Sequence, residues 1–79
     1  MKVNVKLIAT YQKLLPAGTI GNVIEIEIPN ETTVAQVLSR FAVPLDDTSV
    51  IVLNGLTVDL NTPVCEGDTV SAFSAIAGG

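Results

Sequence analysis

The chain has 79 residues, 48% of them apolar and 15% charged. That is one small packed domain, too apolar for a disordered segment. Four basic residues against eight acidic ones leave a net charge of −4 at pH 7, which argues against non-specific binding to nucleic acid or to an anionic membrane. With no histidine and one cysteine, a histidine base, a Ser-His or Cys-His pair, an internal disulfide, a thiolate zinc site and an iron–sulfur cluster are excluded. No metal site is expected. The lack of a disulfide framework and of a leader-like segment leads to the expectation of a reducing cytoplasm. No apolar stretch approaches the ~20 residues that cross a bilayer.

Residues 2–9 alternate: Val3, Val5 and Leu7 on one side, Lys2, Asn4 and Lys6 on the other. This period of two predicts a strand with one face on the core. Pro16, Gly18, Gly21 and Asn22 mark residues 10–22 as a loop. Residues 23–28 alternate again, with Ile24, Ile26 and Ile28 inward and Glu25 and Glu27 outward, until Pro29 removes a ladder donor. Thr33 and Gln36 have the spacing of a capping box. Val34, Val37, Leu38 and Phe41 then form one apolar helical stripe. Pro44 biases Val43 away from helix and predicts an end near Ala42. Asp46 and Asp47 fall in a polar turn. Val50–Leu53 and Leu56–Val58 flank Asn54-Gly55, a strong hairpin signal, because a type I′ turn needs positive φ at both central positions. Glu66-Gly67-Asp68 marks another turn, and residues 69–75, with Val70, Ala72 and Phe73, read as the last strand. One helix on one mixed sheet of four to five strands is an α+β domain, covering residues 1–75 and leaving 76–79 as a tail.

The tail is Ile76-Ala77-Gly78-Gly79. Its bland reading is a frayed end. Its sharper reading is that the terminal carboxylate reacts. Glycine has no Cβ, so a Gly-Gly end threads a narrow channel and leaves the carboxyl carbon unshielded. Four residues from Ile76 reach at most roughly 13–14 Å. A carboxylate is a poor acyl donor and needs activation by a nucleotide. The chain holds no glycine-rich phosphate loop with lysine, so ATP is expected to be handled by another protein.

On these features the chain resembles the MoaD/ThiS-type sulfur carriers, which are ubiquitin-like β-grasp proteins. The resemblance rests on the strand Val3–Leu7, the Thr33-Val34 helix start, the Leu53-Asn54-Gly55 hairpin, and the spacing from Gly67-Asp68 to Gly78-Gly79. It implies a carrier, not an enzyme, with no bound cofactor. An adenylyltransferase related to ubiquitin E1 would adenylate the Gly79 carboxylate with ATP, and sulfur would replace one oxygen to give a thiocarboxylate (1-thioglycine). Gly78, Ala77 and Ile76 would be threaded into the partner, with Phe73 and Ala75 on the docking surface. The acceptor would be a pyranopterin precursor on the large subunit of molybdopterin synthase, or a nascent thiazole on thiazole synthase in thiamin synthesis. A ubiquitin-like protein modifier and a non-covalent β-grasp module are the other readings. Where molybdopterin carriers of this family often have two prolines before the tail, this chain has Ser74-Ala75.

Four other residues have two readings each. Cys65 has no lysine or arginine within ten residues to lower its pKa, so a small apolar role is expected over a sulfur relay. Phe73 fits either the core or an exposed docking patch. Lys6 and Arg40 are expected in solvent, with pairing to an acidic partner as the alternative.

Overall fold

A computed structural model describes residues 1–76. Its strands are β1 (Lys2–Leu7), β2 (Val23–Glu27), β3 (Ser49–Leu53), β4 (Leu56–Thr57) and β5 (Thr69–Ser74), with one α-helix, α1 (Val34–Ser39), between β2 and β3. The sheet order is β2-β1-β5-β3-β4. β1 and β5 pair in parallel and the other neighbours are antiparallel. This is the expected α+β, β-grasp arrangement, with five strands and the first and last side by side at the centre.

The alternation in β1 and β5 explains that centre. Val5 lies opposite Val70 and Leu7 opposite Ala72, and all four are fully buried. Val34, Val37 and Leu38 of α1 are equally buried, so the helical stripe covers the same face of the sheet. β2 supplies Ile24 and Ile26 at its rim, while Glu25 and Glu27 stay exposed.

The predicted capping box is present. The Thr33 hydroxyl accepts from the Gln36 N–H, and the Gln36 amide oxygen accepts from the Thr33 N–H. The first two helical amides find partners far along the chain: Val34 N–H donates to Thr62 O at 2.9 Å and Ala35 N–H to Leu60 O at 3.0 Å. No orphan donor remains in the first turn. The other end corrects the sequence reading. The helix stops at Ser39, not near Ala42, because Ala42 turns to a φ of 59°. The Arg40, Phe41 and Ala42 amides donate three residues back in a tightened last turn. Phe41 still reaches the core.

The predicted loop 10–22 is also partly wrong. Ala9–Leu14 forms a 3₁₀ helix. Its period is three, so Tyr11 and Leu14 fall on one side, and the α-helical and strand templates both miss it. Tyr11 and Leu15 are buried. Pro16 holds Leu15 extended and ends the segment.

Asn54 and Gly55 both have positive φ, 51° and 88°, as the hairpin requires. Asn54 has a second role that the sequence did not reveal. Its side-chain amide donates to Asp68 Oδ1 at 2.9 Å and accepts from Thr69 N–H at 2.8 Å. Asp68 Oδ2 in turn accepts from Cys65 N–H at 2.7 Å. The hairpin turn is thereby tied to the turn that opens β5.

Leu38→Ala is expected to cost about 2–5 kcal/mol, since the site is sealed on all sides. Thr33→Ala is expected to cost about 1 kcal/mol through the lost cap. Urea unfolding of both variants checks the ranking, and equal losses would contradict it.

Candidate functional site

One helix covers only one face of the sheet. Val70 and Ala72 occupy the covered face of β5, so the alternation turns Thr69, Ser71 and Phe73 to the other. Val50 lies opposite Phe73 and Val52 opposite Ser71, while Lys6 flanks Ser71 from β1. Phe73, Val50 and Val52 are each half-buried. They form an apolar stripe on the open face, so Phe73 belongs to the exposed patch and not to the core. Lys6 is half-buried beside the stripe.

The stripe runs toward the end of β5, where the predicted tail begins. Ala75 N–H still donates to Thr48 O, at 2.8 Å. Ile76 N–H donates to Ser74 Oγ at 3.2 Å. The last residue of β5 itself is Ser74. Ala75 is exposed, and Ile76 holds an aliphatic side chain 58% in solvent. Ala77, Gly78 and Gly79, the predicted threaded and reacting residues, lie outside the described residues.

The Thr48 carbonyl is the node at this point. Besides Ala75 N–H it accepts from the Tyr11 hydroxyl at 3.4 Å, and that hydroxyl lies 2.6 Å from Ser49 Oγ. The 3₁₀ helix is thus fastened to the strand that holds the tail base. Thr48 is itself fixed by Asp46. The Thr48 N–H and hydroxyl both donate to Asp46 Oδ1, and Ser49 N–H donates to Asp46 O at 3.1 Å. The two Thr48 bonds, the hydroxyl first, hold the Asp46 carboxyl below its ordinary 3.8. Sequence reasoning placed Asp46 only in a polar turn. The signal was there in the Asp46–Thr48 spacing, which suits an Asx turn.

Other candidates lie elsewhere. Cys65 is exposed, and its N–H is held by Asp68. Arg40 is exposed and donates to Glu27 O at 3.2 Å, across the outer edge of β2. Among the described residues no group of three or more His, Cys, Asp or Glu could hold a metal ion, and no helix is long and apolar enough to cross a membrane.

A family model, that of the ThiS family, matches residues 5–79. No curated protein matches the sequence. Among solved structures, SAMP1 from Haloferax volcanii superposes with a TM-score of 0.78 at 19% identity, covering 100% of both chains. A putative molybdopterin converting factor subunit 1 from Pyrococcus furiosus superposes with a TM-score of 0.75 at 25% identity, covering 95% of this chain and 98% of that one. The complex of subunits 1 and 2 of the molybdopterin-converting factor from Helicobacter pylori contains a chain with a TM-score of 0.63 at 22% identity, with both chains covered in full.

The Asp46 geometry has a pH signature. A carboxyl whose folded pKa is depressed stabilises the fold above its unfolded value and loses that contribution as pH falls through the folded one. Asp46→Ala is therefore expected to unfold more readily than the parent near neutral pH, with the gap closing below 3.8. Thermal unfolding across the acid range measures it, and a gap that ignores pH would rule out the ionised carboxylate as its source.

Proposed function

Because this chain belongs to the ThiS family, we propose that it is a sulfur carrier whose Gly79 carboxylate becomes a thiocarboxylate and donates sulfur in molybdopterin synthesis. One observation carries the reading: the family match runs to Gly79 itself, so it includes the Gly-Gly end that the chemistry requires. The likeness at 25% identity to a putative molybdopterin converting factor subunit 1 supports the choice of acceptor.

A Gly79 carboxylate oxygen attacks the α-phosphate of ATP on an E1-like adenylyltransferase, and pyrophosphate leaves. The acyl-adenylate is a good acyl donor where the carboxylate was not. Hydrosulfide adds to the carboxyl carbon and expels AMP, and loss of its proton leaves the thiocarboxylate. On the acceptor enzyme its sulfur bonds to a carbon of the pyranopterin precursor as an oxygen substituent leaves that carbon, and water then cleaves the acyl–sulfur bond and restores the carboxylate. The carrier itself supplies no acid, base or metal.

Its contribution is delivery. The Phe73–Val50–Val52 stripe, with Ala75 and Ile76 beside it, docks against the partner and sets where the Gly-Gly end enters. The helix-covered core makes the body rigid, and the missing Cβ atoms of Gly78 and Gly79 let the end pass a narrow channel. The partners are the adenylyltransferase and the large subunit of a molybdopterin synthase, in the cytoplasm, where ATP is available.

Intact mass of the protein isolated from cells that contain its activating enzyme is expected to show a form in which sulfur has replaced one oxygen. Deleting Gly79 is expected to abolish sulfur transfer to the large subunit, and full transfer by the deleted form would end the carrier reading. Gly-Gly remnants on target lysines would point instead to protein modification, and sulfur arriving on a thiazole would point to the thiamin branch. Phe73→Asp is expected to weaken binding to the large subunit about tenfold or more, as burying an unpaired charge at a docking centre does. Because Phe73 sits on the open face, the fold should survive, and binding at parental strength would remove the stripe from the docking surface.

A further inference from the structure

The sheet is incomplete on one side of β3. β3 pairs with β5 through all five residues from Ser49 to Leu53, but with β4 only through Val52 and Leu53. Among the described residues, Ser49, Val50 and Ile51 have no strand on that side. A groove of about 340 Å³ opens there, between the Leu45–Asp47 turn and the segment from Thr57 to Leu60. Its size falls at the lower end of small binding clefts, roughly 300–1,000 Å³. Leu45, Val50, Val58 and Leu60 give it an apolar floor, and Asp46 and Asp47 stand at its rim.

The charged residues that line this groove, Asp46 and Asp47, have one sign. All four cations of the chain, Lys2, Lys6, Lys13 and Arg40, lie in residues 1–40. Residues 41–79 carry Asp46, Asp47, Asp59, Glu66 and Asp68 and no cation. Asp46, Asp47 and Asp59 are exposed, and Leu45 is 38% exposed. An apolar floor beneath an uncompensated acidic rim complements an extended segment that alternates aliphatic with cationic side chains. The uncovered stretch of β3 offers such a segment a strand to lie along.

The position of the groove narrows the partner to a protein that takes up the Gly-Gly end. Ser49 lines it, and Ser49 is paired with Ser74, the last residue of β5. Val50 lines it as well and is opposite Phe73 on the open face. The groove therefore continues the apolar stripe around the edge of the sheet, next to the tail base. A protein that takes up the Gly-Gly end is already beside it.

We propose that the groove between the Leu45–Asp47 turn and Val58–Leu60 is a second docking surface, which receives a basic, aliphatic segment of the activating enzyme. This rests on the carrier role of Gly79, and two readouts separate them. The first is independent of that role. The ¹⁵N-labelled protein is titrated with a short capped peptide alternating arginine and leucine, and with its glutamate counterpart. Amide shifts at Ser49–Ile51 and Thr57–Leu60, seen with the cationic peptide only and lost in Asp47→Lys, support the groove. Shifts that are absent, or equal for the two peptides, overturn it. The second readout is ATP–pyrophosphate exchange by the activating enzyme. Asp47→Lys and Leu45→Ser are each expected to raise KM for the carrier about fivefold with kcat unchanged, Asp47→Lys losing its effect at high salt. An unchanged KM in both variants removes the enzyme as the occupant. No exchange with the parent protein would end the carrier role, while the peptide shifts still decide whether the groove binds.

Discussion

The parallel pairing of β1 with β5 is the contact on which the rest of the molecule depends. Val5 against Val70 and Leu7 against Ala72 fill the middle of the sheet with side chains that water does not reach. The ladder is prolonged at both ends, by Asn4 N–H on Asp68 O at 2.8 Å and Ile8 N–H on Ala72 O at 3.1 Å. Parallel neighbours need a long crossover, and here the whole of β2, α1, β3 and β4 lies within it. The last strand is therefore held between two others, one on each side, and cannot peel away as an edge strand would. A tail that starts from such a strand has a fixed base.

Much of this was legible because local patterns and burial agree. Period-two alternation located β1 and β2 and their inward faces, the Thr33–Gln36 pair located the start of α1, and Asn54-Gly55 located the hairpin. What escaped has a common cause: it depends on partners distant in sequence or on periods without a strong template. The 3₁₀ helix is too short for its three-residue period to show, and it is held by a hydroxyl contact from Tyr11 to Ser49, 38 positions away. The early end of α1 follows from the backbone at Ala42, where no glycine announced a positive φ. Asn54 was visible as a turn residue, but its bonds to Asp68 and Thr69 appear only once β5 is laid beside β3. Phe73 is the contrary case. Two residues of β5, Val70 and Ala72, fix the parity of the strand, and Phe73 has the opposite parity.

The candidate site divides in the same way. The end proposed to react was named from the sequence alone, because two glycines and a carboxylate are a chemical statement that needs no fold. The apolar stripe proposed to dock needed the sheet, since Val50, Val52 and Phe73 meet only across strands. The acceptor is encoded in neither. A carrier that brings its own acyl group and no catalytic side chains leaves the choice of acceptor to whichever enzyme fits its surface, so acceptor identity resides in shape and charge complementarity and not in a signature residue.

That division places a constraint on the surface itself. A carrier visits an activating enzyme and then an acceptor enzyme, so it must leave each one, and a large, dry interface would trap it. The apolar stripe here is short: three half-buried residues beside an exposed Ala75 and Ile76. The exposed carboxylates of residues 41–79 act differently. Surface charge raises the rate of encounter and orients it, yet adds little to the lifetime of the complex once water and salt screen it. On the proposed carrier role, apolar contacts at the tail base and exposed acidic charge have separate tasks, the first holding the body while the end reacts and the second bringing it there quickly.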